Sequence, residues 1–153
     1  MKIYYDLHIH SVASSCADES QTPNNILNMC MLKELNLISI SDHNCAKQYE
    51  TIDLLKDSYD FDIIYGIEIT VKEGFHVLAY FPSYDDIMVI DKIIDDCLDK
   101  TILPPDEQII CDEYDEVKYT VPYMINQKIK YSFKDIIDII KDNNGIVIPA
   151  RIW

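Results

Sequence analysis

Four histidines, His8, His10, His43 and His76, each fall at the start or end of a run that reads as a β-strand. His8 and His10 lie two apart on one such run, so both side chains point to the same side of a sheet. Two imidazoles on one face with carboxylates nearby suit a metal pair: one cation takes both rings, and a carboxylate bridges it to a second. Asp42-His43 closes a second apolar run, the place where ligands collect in α/β folds. Glu68 stands between Ile67 and Ile69, where a buried carboxylate is costly without a partner, and a cation would be such a partner. A His-x-His pair alone is a weak signal, because it also arises as a satisfied polar pair. The shared strand-end placement of all these metal-capable side chains carries the reading. The chemistry it points to is the binding of one or two metal ions. The sequence has no GxSxG, no P-loop and no GxGxxG among its three glycines.

The elements that must position these residues alternate between strand and helix. Ile3 to Ile9 alternates Leu7 and Ile9 with His8 and His10. After a polar loop, Thr22-Pro23 opens a helix with Thr22 as N-cap, carrying Ile26, Leu27, Cys30, Met31 and Leu35 at helical spacing. Leu37 to Ser41 is a short strand. Residues 46–57 form a weaker helix, carried by Tyr49, Ile52 and Leu55. Phe61 to Thr70 and Phe75 to Phe81 read as strands of a hairpin around Lys72-Glu73-Gly74. Ser83 with Asp86, and Ser132 with Asp135, resemble capping boxes for two further helices. The first of these buries Ile87, Ile90, Ile94, Cys97 and Leu98; the second ends at Asn143-Asn144-Gly145, before a strand at Ile146 to Ile148. No internal repeat is present. The pattern predicts an α/β fold with a mostly parallel sheet, in a single domain over residues 1–153. Residues 101–131 fit it least. They hold Pro104-Pro105 and the acids Asp106, Glu107, Asp112, Glu113, Asp115 and Glu116 with no intervening base, and read as a solvated, irregular excursion.

Composition narrows the partners. The net charge is −14, which repels a phosphate backbone unless metals intervene. This argues against nucleic acid as a partner of the chain alone, and against a polybasic membrane contact. No apolar run approaches the ~18 residues needed to span a bilayer. The N-terminus lacks the pattern of a signal peptide. Five cysteines at irregular spacing, without a CxxC, read as thiols of a reduced, cytoplasmic chain.

A family resemblance runs through these motifs. Asp6-Leu7-His8-Ile9-His10-Ser11 resembles the first motif of the PHP (polymerase and histidinol phosphatase) family. Ser39-Ile40-Ser41-Asp42-His43-Asn44 resembles its second. Gly66-Ile67-Glu68-Ile69-Thr70 and His76-Val77-Leu78-Ala79-Tyr80-Phe81 resemble the next two. Thr22-Pro23-Asn24-Asn25-Ile26 is similar to the opening of its first helix, and Gly145 to Ala150 to a later strand. The order and spacing agree over nearly the whole chain. The resemblance implies a distorted (β/α)7 barrel that holds up to three divalent metals, Zn, Mn or Fe, and hydrolyses a small phosphorylated substrate.

Carried over by position, His8 and His10 would bind the first metal and Glu68 would bridge it to a second held by His76. His43 would bind the third with Asp18, for which Cys16 and Glu19 are close competitors. Cys16 reads as a soft ligand or as an ordinary loop thiol. Catalysis would run through water activated at the His8, His10 and Glu68 position. Two departures stand out. Arg151 occupies the place where the family usually has a histidine, and the sequence given stops two residues later, before the family's last ligands. A guanidinium cannot ligate a metal; it would lie near Glu68, contact a phosphate, or point into solvent. A barrel typically needs about 250 residues, so the resemblance implies an incomplete one whose open edge invites a second copy of the chain. The alternative is a degenerate or truncated domain acting as a non-catalytic metal-binding or interaction module.

Overall fold

The structure, a computed structural model, describes residues 2–150; the expectation for Arg151 lies outside the described residues. Alternation at the N-terminus gives β1 (Tyr5–Ile9), which pairs in parallel with β2 (Leu37–Ile40), and β2 with β3 (Asp62–Ile63). The β1–β2 register slips between Asp6 and Ile9, on either side of His8. Such irregularities re-aim side chains beside functional sites.

Helix α1 (Pro23–Leu32) crosses between β1 and β2 with its proline in the first turn, as expected. Its buried face runs through Ile26, Leu27 and Cys30, whereas Met31 is half exposed. Thr22 does not cap the helix through its own side chain. Its hydroxyl donates instead to Asp115 Oδ2 (2.7 Å), and Asp115 Oδ1 accepts from the Asn24 amide (3.0 Å). The cap of α1 therefore comes from a distant carboxylate.

Helix α2 (Tyr49–Leu55) continues into a 3-10 turn at Lys56–Ser58 and buries Tyr49 and Ile52. The Tyr49 hydroxyl donates to the Ile40 carbonyl (2.7 Å) and accepts from the amides of Ile40 (3.0 Å) and Gly66 (2.9 Å). It thereby pins β2 to β4 (Tyr65–Thr70). As expected, β4 and β5 (His76–Phe81) form an antiparallel hairpin, from Tyr65 opposite Phe81 to Thr70 opposite His76. Gly74, at φ +96°, supplies its left-handed turn residue.

Helix α3 (Tyr84–Asp95) starts at Ser83, whose Oγ accepts from the Asp86 amide, and buries Ile87, Ile90 and Ile94. In the 101–131 stretch, β6 (Ile109–Cys111) pairs antiparallel with β7 (Val117–Thr120). Helix α4 (Phe133–Asp142) has the full Ser132/Asp135 capping box and leads through Asn144, at φ +65°, into β8 (Ile146–Pro149). Strand β8 runs antiparallel to β5. Among the described residues no helix is long and apolar enough to cross a membrane.

The α/β class holds, but the expectation of mostly parallel strands in an incomplete (β/α)7 barrel requires correction. The described residues form a parallel sheet in the order β1-β2-β3, an antiparallel sheet in the order β4-β5-β8, and the β6–β7 ribbon. The β4–β5 hairpin reverses chain direction, so β8 meets β5 from the opposite sense. The 101–131 expectation also changes. This stretch carries a hairpin and contributes Ile110, Val121, Ile125 and Ile129 to the buried core. Its buried Gln108 side chain bonds the backbone of Val121, Tyr123 and Ile125.

The parallel and antiparallel sheets meet at one place. Beyond Ile40 the chain continues through Asp42–Asn44, where the Glu68 amide donates to the Asp42 carbonyl (3.0 Å) and the Asn44 amide to the Glu68 carbonyl (2.8 Å). His43 and Glu68 thus sit side by side in a parallel bridge. Gly66 permits this approach, because a Cβ there would fall 2.2 Å from Ser39 Oγ and 2.5 Å from Ser41 Oγ.

Candidate metal centre

The junction of the two sheets gathers side chains from four strand ends. His8 lies on β1 and His10 just follows it, His43 follows β2, Glu68 lies on β4 and His76 opens β5. Glu68 Oε2 stands 2.9 Å from His8 Nε2, 3.1 Å from His10 Nε2 and 3.5 Å from His43 Nδ1. Its other oxygen, Oε1, lies 3.9 Å from His76 Nδ1. The two Nε2 atoms of His8 and His10 are 3.1 Å apart. The rings of His10 and His43 stack at 4.6 Å between centroids, and His43 and His76 follow at 5.3 Å. The cluster opens into a cavity of about 570 Å³, whose wall also takes in Cys16, Phe75 and Ala150.

A buried carboxylate holds the loop that carries the first histidines. Asp42 accepts at Oδ1 from the Ser11 amide (2.7 Å) and the Ser14 hydroxyl (2.7 Å), and at Oδ2 from the Ser11 hydroxyl (2.6 Å). Burial pushes the Asp42 carboxyl up, against the downward pull of these serine contacts. Because Ser14 gives its proton to Asp42, its oxygen acts as acceptor toward the His43 amide (3.2 Å) and His10 Nδ1 (3.4 Å). In the neutral ring this favours the proton on Nδ1 and leaves the Nε2 lone pair facing Glu68. Thr70 Oγ1 contacts His76 Nδ1 at 3.0 Å in a comparable way. Asp42 was visible in the sequence only as the neighbour of His43. The signal that could have found it is an acid closing an apolar strand with Ser11 and Ser14 in the loop opposite.

Electrostatics set the protonation of the cluster. Burial alone would raise the Glu68 carboxyl, but the contacts of His10 and His8 and the charge of His43 outweigh it and hold it well below the usual carboxylate range. Burial pushes His43 down to about 4, despite the attraction of Glu68. At neutral pH the carboxylate is therefore ionised and His43 is unprotonated, the forms in which each ligates a metal.

The residues fit a divalent metal on two observations. His43 Nδ1 is a buried nitrogen without a hydrogen-bond partner, an expense that a ligand would remove. The separations among His8 Nε2, His10 Nε2 and Glu68 Oε2, 2.9–3.1 Å, fall within the ~2.8–3.4 Å edges of octahedral to tetrahedral coordination shells with bonds of ~2.0–2.1 Å. Three groups of donor atoms lie within 4.8 Å of one another: His8, His10 and Glu68; His43, Glu68 and His76; and His10, Cys16 and His43.

The structure thus brings together His8, His10, His43, Glu68 and His76. Asp18 is not brought in. It is exposed, and its Oδ1 accepts from the Ser20 amide (2.9 Å) within its own turn. The neighbouring Cys16 is the loop residue that reaches the cavity. Burial, with the nearby carboxylates Asp42 and Glu68, raises its thiol above the ordinary value.

No family model and no curated protein sequence matches this chain. Solved structures do. The lesion-specific endonuclease of Pyrococcus furiosus matches with a TM-score of 0.70 at 19% identity, over 98% of this chain and 34% of its own. Endonuclease Q in complex with a 27-mer duplex bearing an abasic lesion matches with a TM-score of 0.61 at 18% identity, over 96% of this chain and 34% of its own. A protein of Bifidobacterium adolescentis, described as a metal-dependent phosphoesterase, gives 0.57 at 15% identity, over 97% of this chain and 67% of its own. The chain spans about a third of the length of the endonucleases it resembles. These likenesses are of fold alone: the chain shares a mixed α/β architecture with these proteins.

Proposed function

We propose that the chain carries the metal-binding part of a hydrolase that cleaves phosphate esters. The observation that carries this reading is the convergence of four imidazoles on one ionised carboxylate, with His43 Nδ1 left without a partner. His8, His10 and Glu68 would hold one divalent cation; Glu68, through its second oxygen, would share another with His43 and His76. A cation there would supply Lewis acidity, making hydroxide available near neutral pH and offsetting charge on the phosphoryl oxygens.

The chain's own residues do the rest. Asp42 fixes Ser11 and Ser14, and Ser14 in turn orients His10. Glu68 stays anionic at neutral pH. The wall of the cavity beside Phe75 gives the ester an apolar side to rest on. With a net charge of −14, the protein repels an anionic ester until cations occupy the cluster, so binding of substrate is expected to depend on metal. The sequence expectation against nucleic acid rested on that same charge. A fold neighbour solved on an abasic duplex keeps a polynucleotide phosphodiester within the substrate class, beside small phosphomonoesters.

The test compares wild type with a His8→Ala/His10→Ala double variant. Metal is measured by elemental analysis, and hydrolysis with p-nitrophenyl phosphate and bis-p-nitrophenyl phosphate. Stoichiometric metal and metal-dependent hydrolysis in wild type, both lost in the double variant, are expected. Unchanged metal content in the variant would overturn the assignment. Metal without hydrolysis of either ester would leave a binding module.

A further inference from the structure

We propose that the rim formed by the β4–β5 turn and the segment before α4 is a docking surface for a single-stranded polynucleotide, with Phe75 as the platform on which a base stacks beside the histidine cluster. The inference rests on the phosphate-ester reading above and names the member of that substrate class that this rim fits. Phe75 directly precedes His76 and lines the same cavity as the cluster. It is 44% exposed, whereas Tyr49, Phe61, Tyr65, Tyr80 and Phe81 are buried. The exposed tyrosines Tyr4, Tyr5 and Tyr114 take no part in the cavity wall.

The platform is held in place. The Gly74 amide donates to the Val71 carbonyl (2.8 Å) and the Val71 amide to the Phe75 carbonyl (3.1 Å), which closes the turn. Both carboxylate oxygens of Glu73 accept from the Phe133 amide (3.2 and 3.0 Å), tying the turn to the first residue of α4. The Phe133 ring meets the Phe75 ring edge to face, at 65° and 5.3 Å between centroids. Such a contact covers at most one face of Phe75 and leaves the other for a flat partner.

Charge says what that partner carries. Lys47, Lys56, Lys92, Lys100 and Lys118 are each paired with a carboxylate. Lys72, Lys128 and Lys134 are exposed and form no ion pair among the described residues. All three border the Phe75 turn. The Lys128 side chain lies over Gly74, where an added Cβ would fall 3.2 Å from its Nζ. The Ile129 amide donates to the Thr70 carbonyl (3.0 Å) and the Lys72 amide to the Tyr131 carbonyl (2.9 Å), so the two segments run side by side. The acids nearby are engaged locally, Glu73 with the Phe133 amide and Asp135 with the Ser132 amide and hydroxyl. A chain of net charge −14 thus keeps unpaired ammonium groups beside the cavity. An open aromatic face flanked by lysines suits a single strand, whose bases stack on the ring while the ammonium groups neutralise its phosphates. A duplex keeps its bases stacked on one another, and a small phosphomonoester has no second phosphate for the lysines.

The experiment uses the full chain, its metal content checked by elemental analysis, and measures binding by fluorescence anisotropy before product forms. The probes are labelled oligothymidylate and a phosphodiester strand of the same length whose residues carry no bases. Wild type is expected to bind oligothymidylate roughly tenfold more tightly than the baseless strand. Phe75→Ala should abolish that preference and Phe75→Trp should restore it. Lys72→Ala/Lys128→Ala should weaken both strands and flatten the dependence of log affinity on log salt by about 1.4, at ~0.7 for each lost phosphate contact. Equal binding of the two strands by metal-loaded wild type would overturn the docking surface and leave the metal centre intact. So would a preference that survives in Phe75→Ala, or equally tight binding of polyglutamate or of the duplex with oligoadenylate. Absence of metal from wild type would overturn the phosphate-ester reading, and this inference with it.

Discussion

Two places in this molecule bury ionisable groups, and they do it differently. At the first, Lys47 Nζ donates to Asp91 Oδ2 (2.6 Å) and lies 3.4 Å from Asp95 Oδ1. Asp91 Oδ1 takes the Ala46 amide (2.7 Å), and Asp95 takes Lys100 (2.6 Å) and the Tyr123 hydroxyl. Each carboxylate oxygen has a donor, and the charges nearly cancel. At the second, Glu68 faces four imidazoles, two of whose nitrogens crowd each other at 3.1 Å, and His43 Nδ1 has no partner. The lesson is that buried charge alone does not mark a functional site. The first network is saturated and can only stabilise. The second leaves the buried His43 Nδ1 without a hydrogen-bond partner, as the proposed cation position requires.

The contrast predicts opposite responses to mutation. The largest effect is expected for His8→Ala/His10→Ala, which should abolish stoichiometric metal; elemental analysis reads the loss, and Asp91→Ala should retain wild-type metal. Asp91→Ala should instead destabilise the fold by about 3 kcal/mol, because Lys47 loses the nearer of its two carboxylates and the Ala46 amide loses its acceptor. Urea denaturation of the two variants, side by side, would break the comparison if both lost metal or both lost stability alike.

The next effect is one of pH, in the metal-free protein. His43 is depressed from 6.5 to about 4 in the folded state, so the unfolded chain takes up a proton there first. Its contribution is fully present above 6.5 and is lost as the pH falls toward 4, by roughly 2–3 kcal/mol. Glu68, also depressed, extends the loss below the ordinary carboxylate range. Burial of Lys47 alone would lower it, but Asp91 and Asp95 raise it overall, so its contribution holds below its ordinary value and fades only in strong alkali. Denaturant midpoints measured at steps from pH 7 to 4 should therefore fall in wild type and flatten in His43→Asn. An unaltered slope in that variant would remove His43 from the account. The smallest effect is a control: Ser132→Ala removes one capping box and should cost about 1 kcal/mol without touching metal content.

Much of the site was legible because the side chains lie on strands, where a period of two decides which residues share a face. His8 with His10, and Glu68 within an apolar run, follow from that rule alone. The loop after β1 has no period, and there the resemblance pointed to Asp18 while local turns deliver Cys16. The fold was legible element by element, but not in its strand directions. Alternating strands and helices suggest parallel pairing; the hairpin at Lys72-Glu73-Gly74 is readable in the sequence, but nothing in the pattern says that β8 joins its reversed strand, β5, and so pairs antiparallel. The acidic stretch misled for a different reason. Its core residues are Ile110, in the short Ile109-Ile110-Cys111 run, and Val121, Ile125 and Ile129, whose four-residue spacing falls in a stretch that forms no helix and so gives a misleading signal.

The Asp115 cap of α1 has a consequence for how the chain is made. Thr22 and Asp115 are separated by 93 residues. At ribosomal speeds of about 5–20 residues per second, the carboxylate is synthesised roughly 5–20 s after the helix end it serves. Until then the first turn of α1 has only water for its amides, and a nascent chain stalled before residue 115 carries a helix with a frayed start. The arrival of the acidic ribbon closes that end, tying completion of an early element to a segment made 93 residues later.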